Sequence, residues 1–312
     1  MANFCSAVLN WNGHEHLRHL LPSLTVAHNI AGGKIYIIHN GPASESLDWV
    51  EKEFPEVVIK YPPQNDYLYS YNWLLPELTE DIVIILNNDL RVDEDFVGPL
   101  LRHFNDPDVF SVSARSREWD DSADSSGPFH IRNHHGWVYC DPDFKNQNCV
   151  YAAFASGGFM AVDRKKFLDI GGFDRLYYPA YGEDLDLGFR ALLKGWKNIY
   201  EPASVVYHRE SASWNGKERK SDLLAMRSAF LFRWRYLGGY SFSEFVYLLK
   251  SLLYDLVQGK QTRLKALGMA TKEWRKWCSN HQESKCITKE KFDSLSSEWG
   301  RRPKEPSDPE SL

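Results

Sequence analysis

Between Asp81 and Asn87 the chain runs Ile82-Val83-Ile84-Ile85-Leu86 without a polar interruption. Such a run is long enough for a strand buried on both faces and too short to cross a bilayer. Comparable strands are predicted at Phe4–Leu9, Lys34–Ile38, Glu56–Lys60 and Val109–Ser113, with helical patterns near Glu15–Ala27, Ser46–Phe54, Tyr69–Leu78 and Asp93–Phe104. Strands that alternate with helical crossovers predict an α/β fold, a mainly parallel sheet flanked by helices. In such sheets ligands bind beyond the carboxyl ends of the strands. The central run ends in Asn87-Asn88-Asp89, where a carboxylate beside two amides suits a hard divalent cation. A turn whose side chains bond their own backbone is the alternative.

A second acidic feature lies at Tyr181-Gly182-Glu183-Asp184-Leu185-Asp186, three carboxylates within four residues at the start of a helix-patterned run. Leu185, Phe189, Leu192 and Leu193 recur at helical spacing, and Gly195 supplies a stop. Free N–H groups and the macrodipole at a helix start stabilise one or two acids. A third adds repulsion that a cation, a substrate or a catalytic role would offset.

In their order and spacing these motifs resemble the family 2 inverting nucleotide-sugar glycosyltransferases of the GT-A fold, the group that includes rhamnosyltransferase-like enzymes. The resemblance spans most of residues 4–214. It begins with Ser6-Ala7-Val8-Leu9-Asn10-Trp11-Asn12-Gly13 and Ile35-Tyr36-Ile37-Ile38-His39-Asn40-Gly41, and continues through Leu86-Asn87-Asn88-Asp89. Ala155-Ser156-Gly157-Gly158-Phe159-Met160, Gly171-Gly172-Phe173-Asp174, the acid turn and Val205-Val206-Tyr207-His208 complete it. The resemblance implies Asp184 as general base, with Glu183 and Asp186 positioning the acceptor or tuning it. It implies Mg2+ or Mn2+ at Asp89, with His208 completing the metal or phosphate contact. The nucleotide-sugar, a UDP- or dTDP-sugar, would lie against Leu9, Asn10, Asn12, Asn40, Asn65, Asn72, Asn88, Gly157 and Gly158. The acceptor would be a glycan or lipid-linked saccharide. Trp214 reads as a ring for a sugar to stack on, or as a core or interface aromatic. After Asn40-Gly41 the family's Ser-Thr-Asp is replaced by Pro42-Ala43-Ser44, which leaves the base open.

Two other classes fit parts of the same pattern. A non-catalytic carbohydrate-binding relative is opposed by the intact acids and His208. A sugar-1-phosphate nucleotidyltransferase needs a basic glycine-rich loop, and Asn10-Trp11-Asn12-Gly13 carries no cation.

Charge divides the chain. Residues 1–215 carry 18 Lys and Arg against 30 Asp and Glu, a net −12; residues 216–301 carry 17 against 9, a net +8. We place a GT-A domain at 1–215, a basic amphipathic helical extension at 216–300 and a disordered Pro-rich tail at 301–312. The acidic site half excludes a nucleic-acid partner. Phe242, Phe245, Val246, Leu249, Leu252, Leu253 and Leu256 repeat at three and four residues. Arg227, Arg233 and Arg235 beside Trp234 and Tyr236 suit a membrane interface; packing on the catalytic domain or pairing in a homo-oligomer is the alternative. Between Arg115 and Val150 a long polar stretch reads as an acceptor-side flap or a surface hairpin. Five cysteines without C-x-x-C spacing argue for reduced thiols. With no basic-apolar leader and no membrane-length run, the expectation is a cytoplasmic chain, peripheral on the membrane inner face at most.

Overall fold

The computed structural model describes residues 3–41, 46–209, 218–280 and 286–303. The expected boundary near Asn215, the tail beyond 303, Trp214 and residues 42–45 lie outside them.

Eleven strands are described: β1 (Phe4–Asn10), β2 (Lys34–His39), β3 (Val57–Lys60), β4 (Ile82–Asn87), β5 (Leu90–Val92), β6 (Val109–Glu118), β7 (Phe129–His134), β8 (Trp137–Pro142), β9 (Val150–Ala152), β10 (Phe159–Asp163) and β11 (Lys197–His208). The main sheet has the order β3-β2-β1-β4-β10-β6-β11-β5, with β9 on β11. From β3 to β4 the pairing is parallel, as the crossovers α1 (His14–Ala31) and α2 (Asp48–Glu53) require. Beyond β4 the sheet is mixed. β10 runs antiparallel to both β4 and β6, and β11 is parallel to β6. Ile82–Leu86 is buried throughout because β4 sits between β1 and β10 with a core on each face.

The remaining helices are α3 (Ser70–Leu74), α4 (Val97–Leu101), α5 (Arg164–Asp169), α6 (Glu183–Leu193), α7 (Glu218–Phe232), α8 (Phe242–Val257), α9 (Thr262–Asn280) and α10 (Lys289–Ser296). α7 runs into a π-turn, Arg233–Leu237, and α8 starts with a capping box between Ser241 and Glu244. Phe232, Tyr236, Phe292 and Trp299 share one core with Phe154, Leu185 and Phe189 of the sheet domain. The basic half is therefore built into the fold.

That packing corrects the reading of the arginines as lipid-facing. Arg227 is 0% exposed and Arg233 is buried. Arg227 donates to the carbonyls of Tyr177, Tyr178 and Ala180, and Arg233 to Gly239 O and Glu244. Each guanidinium offers five donors; inside the fold the terminal nitrogens meet carbonyls and a carboxylate, while the Nε of each is buried without a hydrogen bond. Residues 115–150 form an extended β6 and the hairpin β7–β8. All five cysteines are free. Among the described residues no helix is long and apolar enough to cross a membrane.

Candidate active site

One side of the cleft is assembled from strand ends. Leu9 and Asn10 close β1, His39 closes β2 and Asn87 closes β4. Asn10 is fully buried: its amide meets His39 Nδ1 at 3.0 Å, and its Oδ1 accepts from Asn88 Nδ2 at 2.7 Å. Asn40 donates to Tyr67 O and accepts from Ser70 Oγ. Both amides thus build the loops. Asn12 lies exposed in the first loop at φ 51°. Asn65 caps the turn at Tyr67 N. Asn72 differs from the expectation, because both ends of its amide are spent on the backbone of Phe173.

Asp89 follows β4 and faces the end of β11, since Leu90 pairs with His208 across the short β5. His208 Nε2 lies 3.4 Å from Asp89 Oδ2, whereas Asp89 Oδ1 is buried without a hydrogen-bond partner. His16 of α1 lies within the field of the same carboxylate; burial lowers its pKa and Asp89 acts against that. A carboxylate oxygen orphaned in a buried position beside an imidazole fits a divalent cation. A different cluster, His103, Cys149 and Glu201, also gathers ligand types. Its Glu201 stands seven residues up β11 from His208 and is already held by Arg102 and His103, each at 2.6 Å. Burial works to raise the Glu201 pKa, and these partners outweigh it, holding it down to about 2.

The two acidic features meet at Gly157 and Gly158. Asn87 N donates to Gly158 O, and a Cβ on Gly158 would stand 2.8 Å from Asn87 Nδ2. On the other side Gly157 N donates to Asp184 Oδ2 at 3.3 Å, and a Cβ there would stand 3.5 Å from the Asp184 side chain. One glycine pair therefore separates the β4 end from the acid turn and leaves bare backbone between them.

The acid turn is set by Gly182, whose φ of 90° puts it in the left-handed region. A Cβ at Gly182 would meet Ser228 of α7 at 2.8 Å, so α7 packs where only glycine fits. Arg227 ties α7 to the preceding carbonyls, and Ser228 Oγ donates to Tyr181 O. From this start the three carboxylates diverge, because helical neighbours lie 100° apart. Asp184 turns to a groove of ≈ 900 Å³ between the β7–β8 hairpin, the start of α6, α7 and α8. Trp137, Tyr139 and Cys140 of the hairpin line it. Glu183 is buried with Oε2 unpartnered. Burial, then the charge of Asp184, pushes the Glu183 pKa well above the usual carboxylate range. Burial also raises that of Asp184, against the N–H groups of Leu185 and Gly157.

Asp186 departs from the first of its two expected roles, positioning the acceptor or tuning Asp184. It points inward, fully buried, and binds Arg190 Nε at 2.7 Å, Arg235 Nη1 at 2.9 Å and Tyr236 OH at 2.7 Å. Burial would raise its pKa; the two guanidiniums and the phenol overcome this and lower it. Arg190 also binds the carbonyls of Ile170 and Gly172, and Arg235 binds Asp174 at 2.7 Å. Arg190, Arg227, Arg235 and Tyr236 were missed as site-building residues. The available signal was an acid in excess of what a helix start needs, together with cations inside apolar helices.

The sheet and its flanking helices have the GT-A fold. The structure of GalNAc-T7 with UDP, GalNAc and Mn2+ matches 76% of the chain and 48% of its own, with a TM-score of 0.59 at 13% identity. The mannosyltransferase PcManGT of Pyrobaculum calidifontis, in complex with GDP-Man and Mn2+, matches 95% of the chain and 84% of its own, with a TM-score of 0.55 at 12% identity. The chain itself belongs to glycosyl transferase family group 2, whose model matches residues 82–278. A Mycobacterium tuberculosis N-acetylglucosaminyl-diphospho-decaprenol L-rhamnosyltransferase is 32% identical over 142 residues, 44% of each chain. A pre-mycofactocin glycosyltransferase of the same species is 27% identical over 204 residues, 63% of this chain and 40% of that protein. The chain thus spans less than half the length of these curated relatives.

Proposed function

We propose that this chain transfers a sugar, with inversion, from a UDP- or dTDP-sugar to a hydroxyl of a glycan or lipid-linked saccharide. The observation that carries it is the position of Asp184. Its carboxylate is anchored to Gly157 N–H at one edge of the glycine pair and opens on the groove at the other. The donor would lie over Gly157 and Gly158, with its nucleotide along the loops built by Leu9, Asn10, Asn12, Asn40 and Asn88. Asp184 takes the proton of the acceptor hydroxyl as that oxygen bonds to the anomeric carbon and the bond to the diphosphate breaks. A carboxylate with a pKa raised by burial is a stronger base for this step than an exposed one. Asp89 and His208 would hold Mg2+ or Mn2+, as the solved neighbours with Mn2+ support, and the bound cation would neutralise diphosphate charge. The relative named for a diphospho-decaprenol acceptor supports a lipid-linked saccharide, met on the cytoplasmic side through residues 216–300 or by a pair of copies.

Thermal shifts with a panel of nucleotide-sugars, with and without Mn2+, should show one donor class that stabilises the chain. Asp184→Asn should keep that shift while losing at least about 10³-fold in turnover, read as nucleoside diphosphate released. Turnover near wild type in this variant would remove Asp184 as base, and no shift with any donor would remove the donor site.

A further inference from the structure

α8 packs on the protein through Leu248 and Leu252, and turns its acids to that same side. Its two acids are held against the protein, Glu244 by Arg233 at 2.9 Å and Asp255 by Arg263 at 3.2 Å. Tyr247, Ser251 and Asp255 on this side line the groove that receives Asp184. On a 3.6-residue helix the opposite stripe holds Phe242, Phe245, Leu249, Leu253, Leu256 and Val257. All six are exposed: Phe242 85%, Leu253 62% and Val257 83%. Neighbouring Tyr254 and, on α9, Leu264 are exposed too. A contiguous apolar face of this size on a soluble surface marks a docking site.

What covers it is indicated by charge. The stripe itself carries no acid, since Glu244 and Asp255 are turned away and paired. Lys250 stands at its border, and Lys260 and Lys265 follow at the α8–α9 corner, all three exposed. By sequence, residues 216–301 carry a net +8, against −12 for residues 1–215. A molecule so polarised turns its helical half toward an anionic surface and its acidic half away. An apolar stripe bordered by lysines, with Phe and Tyr among its side chains, is the composition of a helix lying in a lipid interface.

We propose that α8 lies in the headgroup region of an anionic bilayer, its outward stripe in contact with acyl chains and its lysines with lipid phosphates. The groove beneath it then opens at headgroup level, which suits a lipid-linked saccharide acceptor; this last point rests on the glycosyltransferase reading. Flotation of the full chain with phosphatidylcholine vesicles, and with vesicles that also contain phosphatidylglycerol, tests the contact without donor or acceptor. Binding should favour the anionic vesicles by at least about tenfold and weaken with salt. The triple variant Phe245→Glu, Leu249→Glu, Leu253→Glu should lose it at an unchanged melting temperature and donor shift. Lys250→Gln, Lys260→Gln, Lys265→Gln should keep residual binding and lose the anionic preference. Failure of the native chain to float with either vesicle would overturn the proposal. So would light scattering that shows a dimer which the Glu variant dissociates. Flotation without any donor shift would leave the lipid contact standing and sink the enzyme reading; a donor shift without flotation would do the reverse.

Discussion

Glu183 and Asp184 are adjacent buried acids, and their surroundings assign the proton. Asp184 accepts from two backbone N–H groups, whereas Glu183 Oε2 accepts from none. We therefore predict that the pair holds its charge on Asp184 and its proton on Glu183, whose pKa burial and the Asp184 charge raise. Glu183→Gln mimics the protonated state and should keep turnover at neutral pH within about a factor of three of wild type. The same substitution carries a stability signature. An unfolded Glu titrates near about 4.3, and the folded Glu183 well above it. The native state thus holds a proton the unfolded state has lost, and stability falls as pH rises from that value through the folded pKa. The Gln variant should melt with wild type in mild acid and above it in alkali. Parallel melting curves across pH would show that Glu183 is ionised in the fold. The pair stood out in the sequence as an excess of acid; which member keeps the proton depends on Gly157 N–H, 27 residues distant in the chain.

At the scale of elements, α6 is held from behind. Asp186 joins it to the π-turn through Arg235 and Tyr236, and Arg190 joins it to the Ile170–Gly172 turn. Asp186→Asn leaves Arg190 without a carboxylate and Arg235 with Asp174 alone, a change in the interior that costs about 3–5 kcal/mol. Chemical denaturation should show that loss, with donor affinity preserved in the fraction that remains folded. A loss of turnover with stability unchanged would return Asp186 to the acceptor. The strands Ile82–Leu86 and Phe4–Leu9 were legible because burial on both faces demands uninterrupted apolar residues. The antiparallel entry of β10 between β4 and β6 was not, since Phe159–Asp163 has the same composition in either direction. α8 was legible as amphipathic. The direction of its apolar face was hidden, because periodicity gives the width of a stripe and says nothing of what it meets.

For the whole molecule, the charge boundary near residue 215 marks composition and not independence. Phe232, Tyr236 and Phe292 pack on Phe189 of α6, and Arg227 fixes the loop that leads into the acid turn. We therefore expect one cooperative thermal transition for the full chain. A chain cut after residue 209 should lose the ordered acid turn and donor-dependent stabilisation; an intact donor shift in the truncated chain would show the sheet domain to be autonomous.

Arg227 and Arg235 also bear on any attempt to redirect this molecule toward a new acceptor. Grafting a foreign hairpin and helical segment around the groove would withdraw the only two guanidiniums that α7 and its π-turn send, among the described residues, to the loop before Gly182 and to Asp186. A workable chimera has to import equivalent cations with its new wall, or begin from a scaffold in which that inner aspartate has already been replaced by an apolar side chain.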